Sequence, residues 1–237
     1  MIAVVQARMG SRRLPGKSLL PLMGEPLFAQ ILRFTQQLEV DGTVLATSNN
    51  PEDDVLEYWA RDYGVDVVRG EQVEDVLDRF LMVVQRYDPD YIVRICGDSP
   101  CIDTALTNHL IMTAEKSGAD YVGYSIDDRP AILTTYGVFA EVIKGQALKK
   151  ATTYDHEYYR EHVTNVFYMS PEVFDVKLLP APVGITDSDF KVCVDEPQDY
   201  FNVRALVDAV GKIPHSWQTI ADSAQYVRGG GWQKYEW

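Results

Sequence analysis

Residues 4–20 read VVQARMGSRRLPGKSLL. A short Val-rich run gives way at once to Gly10, Ser11, Arg12, Arg13, Pro15, Gly16 and Lys17, and then to apolar residues again. β-Branched residues suit a buried strand, and glycine, serine and proline end it. The stretch therefore reads as a first strand, a basic loop and the entry to the next apolar element. Glycines let backbone N–H groups approach an anion closely, and Arg13 and Lys17 add charge. Neither the GxxxxGK[ST] nor the GxGxxG pattern is present. The residues alone leave two readings open: an anion-binding loop, or a solvated loop with incidental cations.

Further strand candidates are Thr43 to Ala46, Val65 to Val68, Tyr91 to Ile95 and Tyr121 to Tyr124, following a first one at Ile2 to Val5. Helical patterns lie between them. Leu27, Ile31, Phe34 and Leu38 follow Pro26 at helical spacing, and Pro51 stands after Asn49 and Asn50, which are candidate caps. Val73, Val76, Leu77, Phe80 and Val84 form the clearest amphipathic stripe. This alternation predicts βαβ units with right-handed crossovers: an α/β protein, a three-layer α/β/α sandwich around a mostly parallel, Rossmann-like sheet. Ligands of such sheets bind outside the carboxyl ends of the strands, where the first loop lies.

After Ser125 the pattern loosens. Residues 126–143 read as a loop leading to a strand or hairpin, 154–169 as a helix followed by a strand, and 190–210 as strand, turn and helix with Pro197 in the first turn. One domain is expected. Its parts are a regular core at 1–125, a smaller irregular insert at 126–190, a return to the core at 191–215, and a tail at 216–237 with three consecutive glycines and late aromatics.

The chain has 237 residues, 46% of them hydrophobic, and a formal net charge of -13. That is enough for one sizeable core, and the acidic balance disfavours nucleic acid and anionic lipid as partners. With no run of about eighteen apolar residues and no signal-peptide pattern, no membrane association and a cytoplasmic location are expected. Cys96, Cys101 and Cys193 have no CxxC spacing and read as buried small side chains. Asp98 follows YIVRI and Gly97, and Asp195 follows KVCV, so each is expected at a strand's carboxyl end. Such an aspartate either caps a helix or offers hard oxygen to a cation such as Mg2+. Glu196 reads as a first-turn acid favoured by the helix dipole. Arg94 alternates with Val93 and Ile95, so it faces either the site or the far side of the sheet.

QARMGSRRLPGK at 6–17 resembles the N-terminal signature of cytidylyltransferases that activate sugar acids, the CMP-Kdo synthetase family and its SpsF-like relatives. The resemblance continues in order through ATSNNPEDD, EDVLDRF, RICGDSP, REHVT and VDEPQD, over about the first 200 residues. It implies the nucleotide-diphospho-sugar transferase fold and the transfer of CMP from CTP to a Kdo- or nonulosonate-like sugar acid with release of pyrophosphate. The setting implied is cell-surface polysaccharide or glycoconjugate synthesis, with Mg2+ as cofactor and a homodimer as the assembly. It places Arg8, Gly10, Ser11, Arg13 and Lys17 on the nucleotide loop, and the backbone of Gln6 and Ala7 near the nucleoside. Arg13 and Lys17 would neutralise pyrophosphate, Asp98 and Asp195 would hold the metal, and these four form the catalytic set.

Other positions keep two readings. Ser48 and Asn49 contact nucleotide or cap a helix. Asp78 and Arg79 lie near the base or form an exposed ion pair. Arg160, Glu161 and His162 reach the acceptor or a partner subunit, with a satisfied helix histidine as the alternative for His162. Arg12 falls at a variable position and reads as solvated. One stretch departs from the family pattern: YGVFAEV at 136–142 stands where relatives carry an RGLDVEV-type sequence, with Tyr136 in place of arginine and Phe139 in place of aspartate. Alternative activities are a nucleotidyltransferase with another nucleotide or a phosphonate-like acceptor, a same-fold glycosyltransferase, and a weakened nucleotide-binding protein.

Overall fold

The computed structural model describes residues 1–154, 157–185 and 190–227. In chain order its strands are β1 (Ile2–Gln6), β2 (Pro21–Leu22), β3 (Glu25–Pro26), β4 (Gly42–Ser48), β5 (Asp66–Gly70), β6 (Tyr91–Cys96), β7 (Tyr121–Ile126), β8 (Arg129–Pro130), β9 (Glu141–Lys144) and β10 (Val176–Pro180). The α-helices are α1 (Leu27–Thr35), α2 (Asp54–Asp62), α3 (Val76–Tyr87), α4 (Thr104–Ser117), α5 (Gly145–Ala151), α6 (Glu157–Glu161), α7 (Asn165–Met169), α8 (Pro197–Val210) and α9 (Trp217–Val227).

The main sheet runs β10-β7-β9-β6-β1-β4-β5, with β8 paired to the end of β7, and β2 and β3 form a separate ribbon. β1 pairs in parallel with β4 on one side and β6 on the other. β9 is inserted antiparallel between β6 and β7. Alternation along β1 divides the core. Ala3 and Val5 pack with α1, α4 and α8 through Phe28, Ile31, Leu110 and Val203, whereas Val4 packs with α3 and α5 through Leu77, Phe80 and Leu148. This is the α/β/α sandwich expected from the alternating pattern. Each buried large apolar side chain contributes about 1.5–3 kcal/mol relative to exposure.

Local signals fix the helix starts. Asp75 caps α3 by accepting a hydrogen bond from Asp78 N, and Asp103 caps α4 through Leu106 N. Pro197 opens α8 behind a reciprocal capping box of Glu196 and Asp199. After β7, Asp127 and Asp128 take positive φ and turn the chain into β8, so the looser region holds both a hairpin and a later strand, β9.

Two expectations are corrected. The stretch 154–169 is not helix then strand: α6 is followed by another helix, α7. Val163, Val166 and Phe167 are buried at helical spacing, and Phe167 stacks on Tyr121 with ring centroids 5.8 Å apart. The strand beside β7 comes instead from β10. Residues 190–194 also form no strand. Val192 N donates to Tyr136 O at 3.1 Å and Val194 N to Asp98 O at 2.8 Å, two isolated bonds in place of a ladder. Gly137 permits this crossing, since a Cβ there would stand 2.5 Å from Cys193 N. Among the described residues no helix is long and apolar enough to cross a membrane. The triple glycine and the final aromatics lie outside the described residues.

Candidate active site

The first loop leaves the sheet where β1, β4 and β6 end together. Gly97 N donates to Gln6 O at 2.8 Å, and a Cβ on Gly97 would lie 2.4 Å from that oxygen, so glycine is what allows the approach. The loop closes on itself through Ser11 N and Gly16 N, both donating to Met9 O at 2.9 and 3.0 Å, with Gly16 at φ 74°. Asp53, 1% exposed, ties the loop to β4: it accepts from Met9 N at 2.7 Å and from the hydroxyls of Thr47 and Ser48.

A cleft of about 310 Å³ opens over this junction, lined by the loop, the ends of β1 and β6, and side chains from α3 and α6. At its centre the Lys17 ammonium donates to Asp98 Oδ2 at 2.8 Å, Val194 O at 2.7 Å and Asp195 Oδ1 at 3.5 Å. Arg13 Nη2 donates to Asp195 Oδ1 at 2.6 Å. Burial alone would lower the Lys17 pKa, but Asp98 and then Asp195 outweigh it and raise it. Burial would raise Asp98, but the Lys17 charge and hydrogen bond hold its carboxyl below the usual range. Asp195 comes from the end of an extended crossing segment, not from a strand, and its backbone N–H donates to buried Asp199 at 2.9 Å.

Two carboxylates and a main-chain carbonyl thus surround one cationic group, and Lys17 stands in for a cation among hard oxygen donors. Among the described residues no cluster of three or more His, Cys, Asp or Glu side chains forms a closed metal cage. The donor set fits a divalent ion of the Mg2+ kind, which keeps waters and takes further oxygens from phosphates.

On the flank nearest β5, Arg79 is 2% exposed, and its Nη1 donates to Gln72 O at 3.1 Å and Val73 O at 3.0 Å. Its stem passes over Gly70, where a Cβ would lie 2.6 Å from Arg79 Cγ. Burial, and then the nearby Arg8 charge, lower its pKa. The exposed ion pair with Asp78 is therefore not formed, and Asp78 instead donates its backbone N–H to Asp75. Arg8 and Arg12 share Glu74, at 3.0 and 3.1 Å. Arg12 is largely solvated, as expected, although it borders the cleft.

Gln6, Ala7, Arg8, Ser11, Arg13, Lys17, Arg79, Asp98 and Asp195 come together around the cleft, whereas Gly10, Ser48, Asn49 and Asp78 are not in its lining. Ser48 is committed to Asp53, Asn49 N donates to Gly70 O, and Gly10 faces Glu52. From REHVT, Glu161 lines the cleft, Arg160 turns to Asp75, and exposed His162 packs on the Tyr158 ring at 5.1 Å. Of the cysteines only Cys101 is fully buried. Cys96 borders the cleft with its thiol pushed up to about 11 by burial, and Cys193 is partly exposed with its thiol also raised. Tyr136 packs edge-on against Phe190 at 5.1 Å and Phe139 is buried against Tyr124, so both departures from the family pattern face core rather than cleft.

A sequence model of the family described as cytidylyltransferase matches residues 2–206, a span that contains the loop, Arg79 and both aspartates. The chain belongs to the cytidylyltransferase family. It is 32% identical over 221 residues to the spore coat polysaccharide biosynthesis protein SpsF of Bacillus subtilis, covering 90% of this chain and 89% of that protein. A cytidylyltransferase from Leptospira borgpetersenii has the same fold, with a TM-score of 0.86, 23% identity, and coverage of 100% of this chain and 98% of that one. CMP:2-keto-3-deoxy-manno-octonic acid synthetase, solved with CTP, superposes with a TM-score of 0.68 at 17% identity, covering 87% of this chain and 98% of its own. As a cytidylyltransferase the protein is a CTP-dependent nucleotidyltransferase, which sets the same-fold glycosyltransferase reading aside.

Proposed function

We propose that this cytidylyltransferase transfers CMP from CTP to an acidic sugar of the Kdo or nonulosonate type, releasing pyrophosphate, in the synthesis of a cell-surface polysaccharide or glycoconjugate. The observation that carries the reading is the Lys17 ammonium joined to both Asp98 and Asp195 beside Arg13, over the mouth of the first loop. The base lies toward Arg79 and the triphosphate lies on the loop. An acceptor hydroxyl oxygen attacks the α-phosphorus in line. The bond from that phosphorus to the oxygen bridging to the β-phosphorus breaks, that oxygen leaves with pyrophosphate, and the hydroxyl proton passes to solvent.

Each residue has a defined task. The Ser11 hydroxyl orients the phosphates, and Arg13 and Lys17 neutralise the charge that accumulates on the leaving group. Asp98 and Asp195 would hold Mg2+, which when bound would supply charge neutralisation and make the acceptor hydroxyl more acidic. The positive charge needed to bring two anions together is local, so an acidic protein surface is no obstacle.

A pyrophosphate-release screen tests the reading. CTP with a 2-keto-3-deoxy sugar acid should outpace UTP, ATP and GTP by about tenfold or more. Release only with a sugar phosphate or a phosphonate overturns the sugar-acid assignment. The proposed assembly is a homodimer in contact through 126–190, and light scattering that gives the mass of a single chain overturns that part.

A further inference from the structure

Arg94 stands on the flank of the cleft opposite Arg79. In the strand order β5-β4-β1-β6-β9, Arg79 rests against the last residue of β5, whereas Arg94 lies on β6 beside β9. The loop that takes the triphosphate starts from β1, between them. Alternation on β6 sends Val93 and Ile95 into one core layer and turns Arg94 and Cys96 toward the cleft.

The antiparallel insertion of β9 sets Glu141 directly opposite Arg94. Arg94 Nη1 donates to Glu141 Oε2, and Tyr121 OH donates to the other carboxylate oxygen at 2.6 Å. Glu141 is 1% exposed, so its direction is fixed. The Arg94 side chain keeps 14% exposure, and it borders the cleft. Its other edge is poorly satisfied: Nη2 reaches Gln6 Oε1 only at 3.5 Å, and Nε is buried with no partner. A guanidinium has five N–H donors, so Glu141 clamps the Nη1 end while Nη2, whose contact with Gln6 is long, keeps donor capacity. Burying such a pair carries a desolvation cost, which a purely structural role leaves uncompensated on the unsatisfied edge.

We propose that Arg94, held in place by Glu141, binds the carboxylate of the acceptor. This rests on the sugar-acid reading above and adds a specificity residue to it. Arg94 touches the acceptor; Glu141 and Tyr121 are positioning residues. With the base on the Arg79 flank and the phosphates on the loop, the acceptor occupies the β6–β9 flank, where its carboxylate meets the Nη2 end of the guanidinium.

The test compares wild type with Arg94→Lys, which keeps a charge beside Glu141, and with the double variant Arg94→Met/Glu141→Gln, which leaves no buried charge unpaired. Melting curves establish folding. The probes are 2-keto-3-deoxy-manno-octonic acid and its carboxamide, with CTP affinity measured by calorimetry in the presence of Mg2+. Both variants should raise KM for the acid by at least about tenfold, and narrow the preference for acid over carboxamide to a similar degree, while CTP affinity stays within about twofold. Equal losses on acid and carboxamide, or a matching loss of CTP affinity, overturn the assignment. If wild type uses no sugar acid but does use a phosphate or phosphonate, the sugar-acid reading fails, and the same variants are measured on that anion. A KM rise there supports Arg94 as the acceptor-anion residue, and an unchanged KM overturns it. If no anionic acceptor releases pyrophosphate, both readings are overturned.

Discussion

Gly70 and Arg79 show how a single missing atom shapes the cleft. The Arg79 stem occupies the space a Cβ on Gly70 would need, 2.6 Å from Cγ, so Gly70→Ala should push the guanidinium off Gln72 O and Val73 O. The expected result is a KM for CTP raised about tenfold with kcat changed by less than about twofold. An unchanged KM would mean that Arg79 does not hold the nucleotide. Asp98→Asn and Asp195→Asn should each lower Mg2+-dependent turnover by about 100-fold or more while the melting curve is retained, and a near-normal rate removes that residue from the mechanism. At this scale the sequence exposes what is local. A glycine and an aspartate directly after an apolar strand announce Asp98, and the Gly-rich basic loop announces itself. Arg94 was ambiguous because period-two alternation offers two faces, and only the register with β9 selects one. Asp53, Asp75 and Glu141 were missed as organisers because a buried carboxylate is justified by partners, and for Glu141 and for the Arg160 contact of Asp75 those lie tens of residues away.

Elements were legible where periodicity and punctuation agree. The α3 stripe and the Pro197 start of α8 match the sequence pattern because burial face and capping are both written locally. The crossing segment at 190–194 misled because its alternating apolar residues fit a strand, yet its bonds go singly to Tyr136 and Asp98 instead of to a neighbouring strand. The start of α9 is joined to α4 and α1 through His215. Its Nδ1–H donates to Ile102 O at 3.1 Å, and its ring packs on Phe34 at 5.0 Å. Burial lowers its pKa from 6.5, outweighing the Ile102 bond. The unfolded chain therefore takes up the proton first, so this histidine supports the fold above about pH 6.5 and the support fades as pH falls toward the lower folded value. Thermal midpoints between about pH 7 and 5 should decline in wild type and decline less in His215→Phe, which keeps ring packing. Parallel slopes would remove His215 as a source of acid sensitivity.

Across the whole molecule, the sandwich and the place of the cleft followed from strand–helix alternation, whereas the insertion of β9 into the middle of the sheet did not. Nothing in a four-residue apolar strand states which neighbours it will join. The convergence of Lys17 on Asp98 and Asp195 has a consequence for how ligands enter. Lys17, proposed for the phosphates, is ion-paired with Asp98 and Asp195, proposed for the metal, so on that proposal a metal arriving alone must first displace an ammonium, and a nucleotide arriving alone must pull it from its acids. Each newcomer therefore clears the seat of the other. By thermodynamic reciprocity, CTP should tighten Mn2+ binding by the same factor by which Mn2+ tightens CTP, about five- to 150-fold in typical coupled sites. Paramagnetic titration of the free protein and of its CTP complex would read that factor directly, and independent binding would show that the lysine yields to neither.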